Sequence, residues 1–483
     1  TFDSNDPSAA SFTFSVTGEV VRQAVTQVQP QSGAPGTLVR IYGSGFDGST
    51  TATIGGTAAT VTSVSPSGTA LTVEVPSGPS GTSDVTVDFG SGITGTLTSA
   101  FDVLTGGPGF FADVGAGLSA VGFSSSDWGD YDGDGDLDLV VTGSDASNPT
   151  ATIYENDVDN GNGFNSISAN LTDVDRGSSA WGDYDGDGDL DLVVTGFDAS
   201  SNETATIYRN DGGGTFTDIG TSLTGVDDGS SAWGDYDGDG DLDLIITGDD
   251  GSSRTATIYE NDVENGNGFI SVGAGLAGVT NGSSAWGDVD GDGDLDLVVT
   301  GSDGSNPTAT IYRNDGGGTF TDISAGLTGV RGGSSTWGDY DGDGDLDLVV
   351  TGDDVSSRTA TIYENEGGGT FTDISAGLTG VVLGSSTWGD YDGDGDLDLV
   401  VTGRDASNNK TATIYENDVD NGNGFNSIGA GLTGVNVGSS AWGDVDGDGD
   451  LDLVVTGSKE SFNGTATIYE NAAPPSIAVD QGG

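Results

Sequence analysis

The sequence predicts an all-β fold, a ring of seven four-stranded blades (a β-propeller) preceded by a small β-sandwich, and three observations predict it. A nine-residue acidic motif, Asp130-Tyr131-Asp132-Gly133-Asp134-Gly135-Asp136-Leu137-Asp138, recurs six more times nearly unchanged. The seven tryptophans, Trp128, Trp181, Trp233, Trp286, Trp337, Trp388 and Trp442, each precede a Gly-Asp pair and stand 51 to 54 residues apart, the length of one blade. Between the motifs lie short β-branched and aromatic patches bounded by Gly, Asn, Asp and Ser, the pattern of strands and turns.

In chain order, residues 1–22 read as one terminal strand, alternating over Ser11-Phe12-Thr13-Phe14-Ser15-Val16. A single strand is not stable alone. The segment resembles the last strand of the immunoglobulin-like repeats of large bacterial surface proteins, and residues 475–483 resemble the opening strand of such a domain. The resemblance implies ends completed by neighbouring immunoglobulin-like domains, or head to tail by other copies of the chain through strand addition. Residues 23–105 alternate with period two and turn every 8–12 residues, which predicts a small sandwich. On Gly43-Ser44-Gly45-Phe46, Ile54-Gly55-Gly56, Val75-Pro76 and Ala100-Phe101 this unit resembles the IPT/TIG family of immunoglobulin-like domains, which implies a spacer or stalk.

Residues 106–474 carry the repeats. In the second repeat the pattern places strand one at 178–181, strand two at 190–194, strand three at 205–208 and strand four at 216–219. Closing such units radially leaves only short edges. The last repeat lacks a fourth strand after Tyr469, while a spare one, Phe110-Phe111-Ala112-Asp113-Val114, precedes the first motif. It is therefore expected to become the outer strand of the seventh blade. The recurring Trp and Tyr sit at a fixed phase on strands and are expected to pack between blades.

The motif itself carries the chemistry. The seven copies place Asp at positions 1, 3, 5, 7 and 9: Asp130, Asp132, Asp134, Asp136 and Asp138; Asp183, Asp185, Asp187, Asp189 and Asp191; Asp235, Asp237, Asp239, Asp241 and Asp243; Asp288, Asp290, Asp292, Asp294 and Asp296; Asp339, Asp341, Asp343, Asp345 and Asp347; Asp390, Asp392, Asp394, Asp396 and Asp398; Asp444, Asp446, Asp448, Asp450 and Asp452. Four carboxylates about 5 Å apart make six repelling pairs of roughly 3 kcal/mol each at an effective dielectric near 20, an upper bound where water screens them. Such a loop needs a cation. Oxygen-only donors on a flexible loop suit Ca²⁺ better than the stricter octahedron of Mg²⁺.

An EF-hand would place a bidentate Glu at position 12 between helices. Here position 12 is Val141, Val194, Ile246, Val299, Val350, Val401 or Val455, and the residues after the motif are β-branched and stopped by Gly. The ion is therefore expected in a strand-to-strand hairpin, about seven ions in all. Side chains at positions 1, 3, 5 and 9 would ligate, position 7 would offer its carbonyl, and Gly135 would permit the sharp turn. These features make the repeats resemble the FG-GAP/VCBS family, the calcium-loop blades also found in integrin α-subunit propellers.

Composition narrows the function. Lys and Arg number 11 against 77 Asp and Glu, a formal charge of −66 that seven Ca²⁺, adding two each, would bring only to −52. Nucleic acid and anionic membrane surfaces are poor partners for such a chain, and no apolar run is long enough for membrane insertion. There is no Cys and no His, hence no disulfide framework, no thiol chemistry and no imidazole base. With every paired Asp in a loop motif, the expectation is that the protein is not an enzyme. The lack of Met, even at residue 1, points to a processed product or a piece of a longer chain.

The leading expectation is a calcium-stabilised, secreted structural or adhesive protein of the cell surface, a repeating unit of a fibre or filament. The alternative is a recognition module, a lectin or integrin-like adhesin binding a glycan or a cell-surface protein. Its face would be built from the links into strand one and the loops between strands two and three, where the repeats differ most, with Arg176, Arg254 and Arg331 as candidate contacts. Asn-x-Ser/Thr sequons stand at Asn170, Asn202, Asn281, Asn409 and Asn463.

Overall fold

The computed structural model describes residues 23–29, 32–33, 38–65, 67–76, 81–89, 93–103, 111–145, 148–158, 161–263, 265–419, 422–459 and 464–471. The expected end strands, Phe110 and Asn463 lie outside these residues.

The first unit is a sandwich whose strands run Ala24–Gln29, Leu38–Ser44, Ala70–Glu74, Thr57–Val64, Thr51–Ile54, Gly81–Asp88 and Thr94–Val103 in order of pairing, with Ser32–Gly33 parallel to the last. Alternation puts Val39, Ile41, Ile54, Leu71, Val73, Val85 and Val87 inside, and Phe46 stacks on Phe89 with ring centroids 5.6 Å apart.

Residues from Phe111 onward form seven four-stranded antiparallel blades. Blade 1 runs Gly122–Gly129, Asp138–Asp145, Asn148–Asp157 and Gly163–Ser166, and blade 2 Ser179–Gly182, Asp191–Asp198, Glu203–Asn210 and Phe216–Asp218. Strand two of blade 2 outlasts its expected end at 194 because the hairpin to strand three is tight, and pairing continues to Phe197 opposite Glu203. Blade 7 consists of Ser440–Gly443, Asp452–Ser458, Gly464–Asn471 and, as its outer strand, Phe111–Asp113, with Tyr469 opposite Asp113. The spare strand closes the ring as the sequence indicates. Phe111 there packs on Tyr391 and Trp442, at 5.8 and 5.7 Å between centroids.

Strand two of each blade is covered on both faces, which is why it reads as an unbroken Leu-Val-Val run, or Leu244-Ile245-Ile246 in blade 3. One face of blade 1, Val140 and Ile153, packs on Leu192 and Val194 of blade 2; the other, Leu139 and Val141, packs on Val454 and Ile468 of blade 7. Tyr131 stacks on Trp181 of the next blade at 6.3 Å, and Trp181 meets Phe216 at 5.9 Å. The Trp181 indole N–H donates to the carbonyl of Asp127, as Trp233 does to Ala180 and Trp128, across the closure, to Ala441. The aromatic residues are inter-blade packing, as expected.

The Gly after each Trp has a separate role. A Cβ on Gly234 would lie 2.7 Å from Cδ1 of Trp286, so only a bare backbone lets the next blade's indole approach.

Candidate metal centres and the opposite face

Each acidic motif forms the hairpin between strands one and two. In blade 1 the Asp130 carboxylate accepts from the amides of Gly133 (2.8 Å), Asp134 (3.1 Å) and Gly135 (3.0 Å), which folds the loop around it. Gly135 has φ +98°, as the sharp turn requires, and Gly133 has φ +73°. Carboxylate oxygens of Asp130, Asp132 and Asp138 all lie within 4.8 Å of one another, as do those of Asp183, Asp185 and Asp191, of Asp288, Asp290 and Asp296, and of Asp339, Asp341 and Asp347. In blade 3 the group is Asp235, Asp237 and Asp239. Positions 1, 3 and 9 are thus gathered in these four blades. In blade 3 position 5 stands in the group in place of position 9, and its Asp239 accepts from the Asp241 amide at 3.1 Å as Asp134 does from the Asp136 amide at 3.0 Å.

These loops fit a hard divalent cation. The donors are all oxygen, the spacing matches carboxylates sharing one ion, and Asp185 Oδ1 is buried without a hydrogen-bond partner. Burial pushes Asp138, Asp191, Asp243 and Asp347 up to about 7, Asp398 to about 8 and Asp452 well above the usual carboxylate range, despite opposing backbone hydrogen bonds. Burial first and the position-5 Asp second raise Asp132, Asp185, Asp237 and Asp341 as well. Protein cations offset this only in small part: Arg209 beside Asp185, Arg313 beside Asp290 and Arg40 beside Asp446 each act against burial, which outweighs them.

Position 9 is also a strut. Asp138 is 1 % exposed; its Oδ1 accepts from the Asn156 amide on strand three (2.8 Å) and its Oδ2 from the Tyr131 amide in the loop (3.1 Å). Asn156 continues the chain of contacts by donating its side-chain N–H to the carbonyl of Val445, in the loop of blade 7, at 2.8 Å. The same bond runs from Asn210 to Tyr131, Asn261 to Tyr184, Asn314 to Tyr236, Asn365 to Val289, Asn417 to Tyr340 and Asn471 to Tyr391. Every acidic loop is therefore held by its own blade through an Asp and by the next blade through a buried Asn. Sequence reasoning missed the Asn, although it ends every third strand as Ile-Tyr-(Glu or Arg)-Asn.

The seventh loop is also covered by the sandwich. Tyr42 donates to the Val158 carbonyl at 2.5 Å, and a cavity of about 230 Å³ between the units is lined by Arg40, Asp446, Asp448 and Glu470. Burial pushes Asp446 up to about 7 and, with repulsion from Asp446 and Asp452, holds Glu470 well above the usual range.

The links into strand one and the loops between strands two and three lie at the opposite end. Phe123, Arg176, Asp228, Asn281, Gly332, Leu383 and Val437 all adopt φ between +47° and +62°. Each passes a backbone hydrogen bond to its neighbour around the axis: Arg176 N–H to Phe123 (3.1 Å), Asp228 to Arg176 (2.7 Å), Asn281 to Asp228 (2.6 Å), Gly332 to Asn281 (2.5 Å), Leu383 to Gly332, and Val437 to Leu383 (2.6 Å). The Ser124 amide closes the circle on Val437 at 3.2 Å.

Seven of the chain's 11 cationic residues stand at this end: Arg176 and Arg331 on the links, Arg254, Arg358, Arg404 and Lys410 beside the strand two to three loops, and Lys459 after strand two of blade 7. Arg254 and Arg331 border one depression with Asn281 and Asp353, whereas Arg176 lies over the Phe197 ring at 4.5 Å and pairs with Asp175 at 3.2 Å. The three candidate contacts share a face but not a site.

A closed ring of repeated blades, each with an acidic hairpin between its first two strands, defines the class: a propeller of oxygen-donor loop repeats joined to a β-sandwich. The chain belongs to the family of FG-GAP-like repeats, whose model matches residues 130–194, 183–246, 235–299, 288–350, 339–401 and 390–455; the IPT/TIG domain model matches residues 24–102. Each repeat match runs from one loop to strand two of the next blade, so seven loops delimit six matches.

Among solved structures, the chain is similar to an auxiliary nutrient binding protein from Bacteroides thetaiotaomicron (13% identity, 78% of this chain and 94% of that one, TM-score 0.35). It is also similar to the Aleuria aurantia lectin in complex with α-methyl-L-fucoside (12%, 65% and 98%, 0.35) and to Trypanosoma rangeli sialidase in complex with an inhibitor (11%, 73% and 55%, 0.35). None of these likenesses bears on what the chain does. No curated protein matches it. No helix among the described residues is long and apolar enough to cross a membrane.

Proposed function

We propose that this chain is a calcium-stabilised structural or adhesive module that works outside the cell. One observation carries the reading: each aspartate loop is tied to its own blade by the position-9 Asp and to the following blade by the buried Asn, so order in a loop is order in two blades. Ca²⁺ bound by positions 1, 3, 5 and 9 and the carbonyl of position 7 would supply the charge cancellation that the few nearby arginines leave incomplete. Exposed carboxylate loops of this kind suit roughly 0.1–1 mM Ca²⁺, the range of extracellular modules. Near-identical blades favour a construction element over a catalyst, and copies joined directly or through immunoglobulin-like neighbours would make a fibre.

Chelator titration of the full chain tests the reading. With Ca²⁺ at one hundred times its dissociation constant, each site contributes about 2.7 kcal/mol to the folded state. Native mass spectrometry should count about seven ions, the melting temperature should fall steeply on chelation, and electron microscopy of native material should show ordered fibres. A melting temperature indifferent to chelator would refute the stabilising role, and isolated particles would refute the fibre.

A further inference from the structure

Beyond the calcium reading, we propose that the depression spanning blades 6, 7 and 1 on the face away from the aspartate loops binds a sugar residue that carries a carboxylate. The depression measures about 350 Å³, room for one substituted ring. Its floor is Phe123, Leu383 and Val437, and its wall is Arg404, Lys410 and Asn436. Phe123 is 37 % exposed, one of few large apolar side chains that the described surface leaves open.

Two buried polar atoms there have no partner: Arg404 Nε, a donor, and Oδ1 of Asn436, an acceptor on a side chain 4 % exposed. Buried polar groups are nearly always hydrogen-bonded, so both call for a ligand group. A guanidinium N–H calls for an anion, best a planar carboxylate, and an amide oxygen calls for a hydroxyl. An acidic sugar supplies both, with an apolar ring face to lie on Phe123 and Val437.

Charge selects this sector. Among the described residues at this end of blades 6 and 7, Arg404, Lys410 and Lys459 stand with one carboxylate, Asp405, which the Ser407 and Asn409 amides already occupy at 2.9 and 2.8 Å, and Lys410 Nζ donates to the Lys459 carbonyl at 2.5 Å. Blades 2 and 3 instead set Asp175, Asp227, Asp228 and Asp249 around Arg176. On a chain of formal charge −66, an anion is accepted only where cations locally prevail.

Calorimetry and saturation-transfer NMR on the full chain with Ca²⁺ test this with four probes: methyl β-glucuronide, N-acetylneuraminic acid, methyl β-galactoside and acetate. At least one acidic sugar should bind, with acetate and the galactoside at least tenfold weaker. Arg404→Gln and Lys410→Gln should each weaken binding about tenfold, the loss of one charge-assisted hydrogen bond, at unchanged melting temperature. Arg254→Gln, in blade 3, should change nothing. Equal binding of galactoside and glucuronide, acetate as tight as the sugars, no binding of either acid at millimolar concentration, or full binding by both Arg404→Gln and Lys410→Gln would each overturn the proposal.

Discussion

Replacing Asn314 by Ala removes one of the seven bonds that tie a loop to the following blade. Asn314 is 2 % exposed; its Nδ2 donates to Tyr236 of blade 3 (2.6 Å) and to Leu295 (3.2 Å), and its Oδ1 accepts from the Gly316 amide (3.0 Å). Three net hydrogen bonds at about 1 kcal/mol each are lost, and the Tyr236 carbonyl is left buried with that partner gone, at a cost of about 1–3 kcal/mol. The sum is about 4–6 kcal/mol, large against a typical total stability of about 5–15 kcal/mol. The main-chain bond from the Asn314 amide to Asp296 (2.7 Å) survives, so the loss reports the inter-blade contact and not strand three itself. Urea unfolding in saturating Ca²⁺ reads the stability, and calcium titration reads the blade 3 loop that Tyr236 belongs to. Both should fall together. A stability change under about 0.5 kcal/mol would show that packing alone holds the blades, and the coupling between loop and neighbour would be wrong.

Two further predictions concern the same interfaces. Gly234→Ala would press a methyl against Trp286, whose indole is held by its bond to Ala232 (3.3 Å) and its stack on Tyr236 (6.2 Å), so the fold should lose about 1–3 kcal/mol with a shift in tryptophan emission; an unchanged melt would mean that the blades can slide. Asp127 stands where the six other blades have Ala180, Ala232, Ala285, Thr336, Thr387 and Ala441, and burial pushes its carboxyl up to about 6 although it accepts from the Trp181 amide at 3.1 Å. A folded value above the unfolded one means that the charged form costs stability: the penalty is absent below about pH 4, grows through pH 6 and is complete above it. Asp127→Asn should therefore stabilise the protein by about 1–2 kcal/mol near pH 7, after discounting for partial exposure, and should leave it unchanged near pH 4. Melting curves across that range check the sign, and equal stabilisation at both ends would refute the cause.

Much of the ring is legible because its sequence is printed seven times. The Trp period gives the blade, the β-branched run after each motif rules out a helix, and the missing strand after Tyr469 together with the spare one at Phe111 gives the closure. What resists reading is whatever joins residues of different blades. Asn314 recurs at its position as faithfully as the aspartates, yet its partner Tyr236 lies 78 residues away, and nothing local marks a carbonyl as an acceptor. Asp138 reads as a ligand because carboxylates attract cations, while its two amide bonds follow only from the pairing of strands. The contact of Tyr42 with blade 1 depends on how the sandwich docks, which neither unit's own pattern determines.

The axial circle of backbone bonds separates what the ring needs from what its far face presents. Blade 5 completes its part of the circle with Gly332, so a side chain is not required there, yet the other six positions carry one at positive φ, at about 1–2 kcal/mol each for an ordinary residue and more for a β-branched one. Val437, at φ +47°, is the costliest of these and also forms part of the floor of the depression beside Arg404. Val437→Gly keeps the amide bond to Leu383 and the carbonyl that Ser124 uses, relieves the strain, and gives back about 0.5–1 kcal/mol in chain entropy. Its melting temperature should therefore match or exceed that of the parent chain, while an acidic sugar bound in the depression should lose affinity with the floor. A marked fall in melting temperature would show that the valine serves the ring, and the strain at these positions would then say nothing about a ligand.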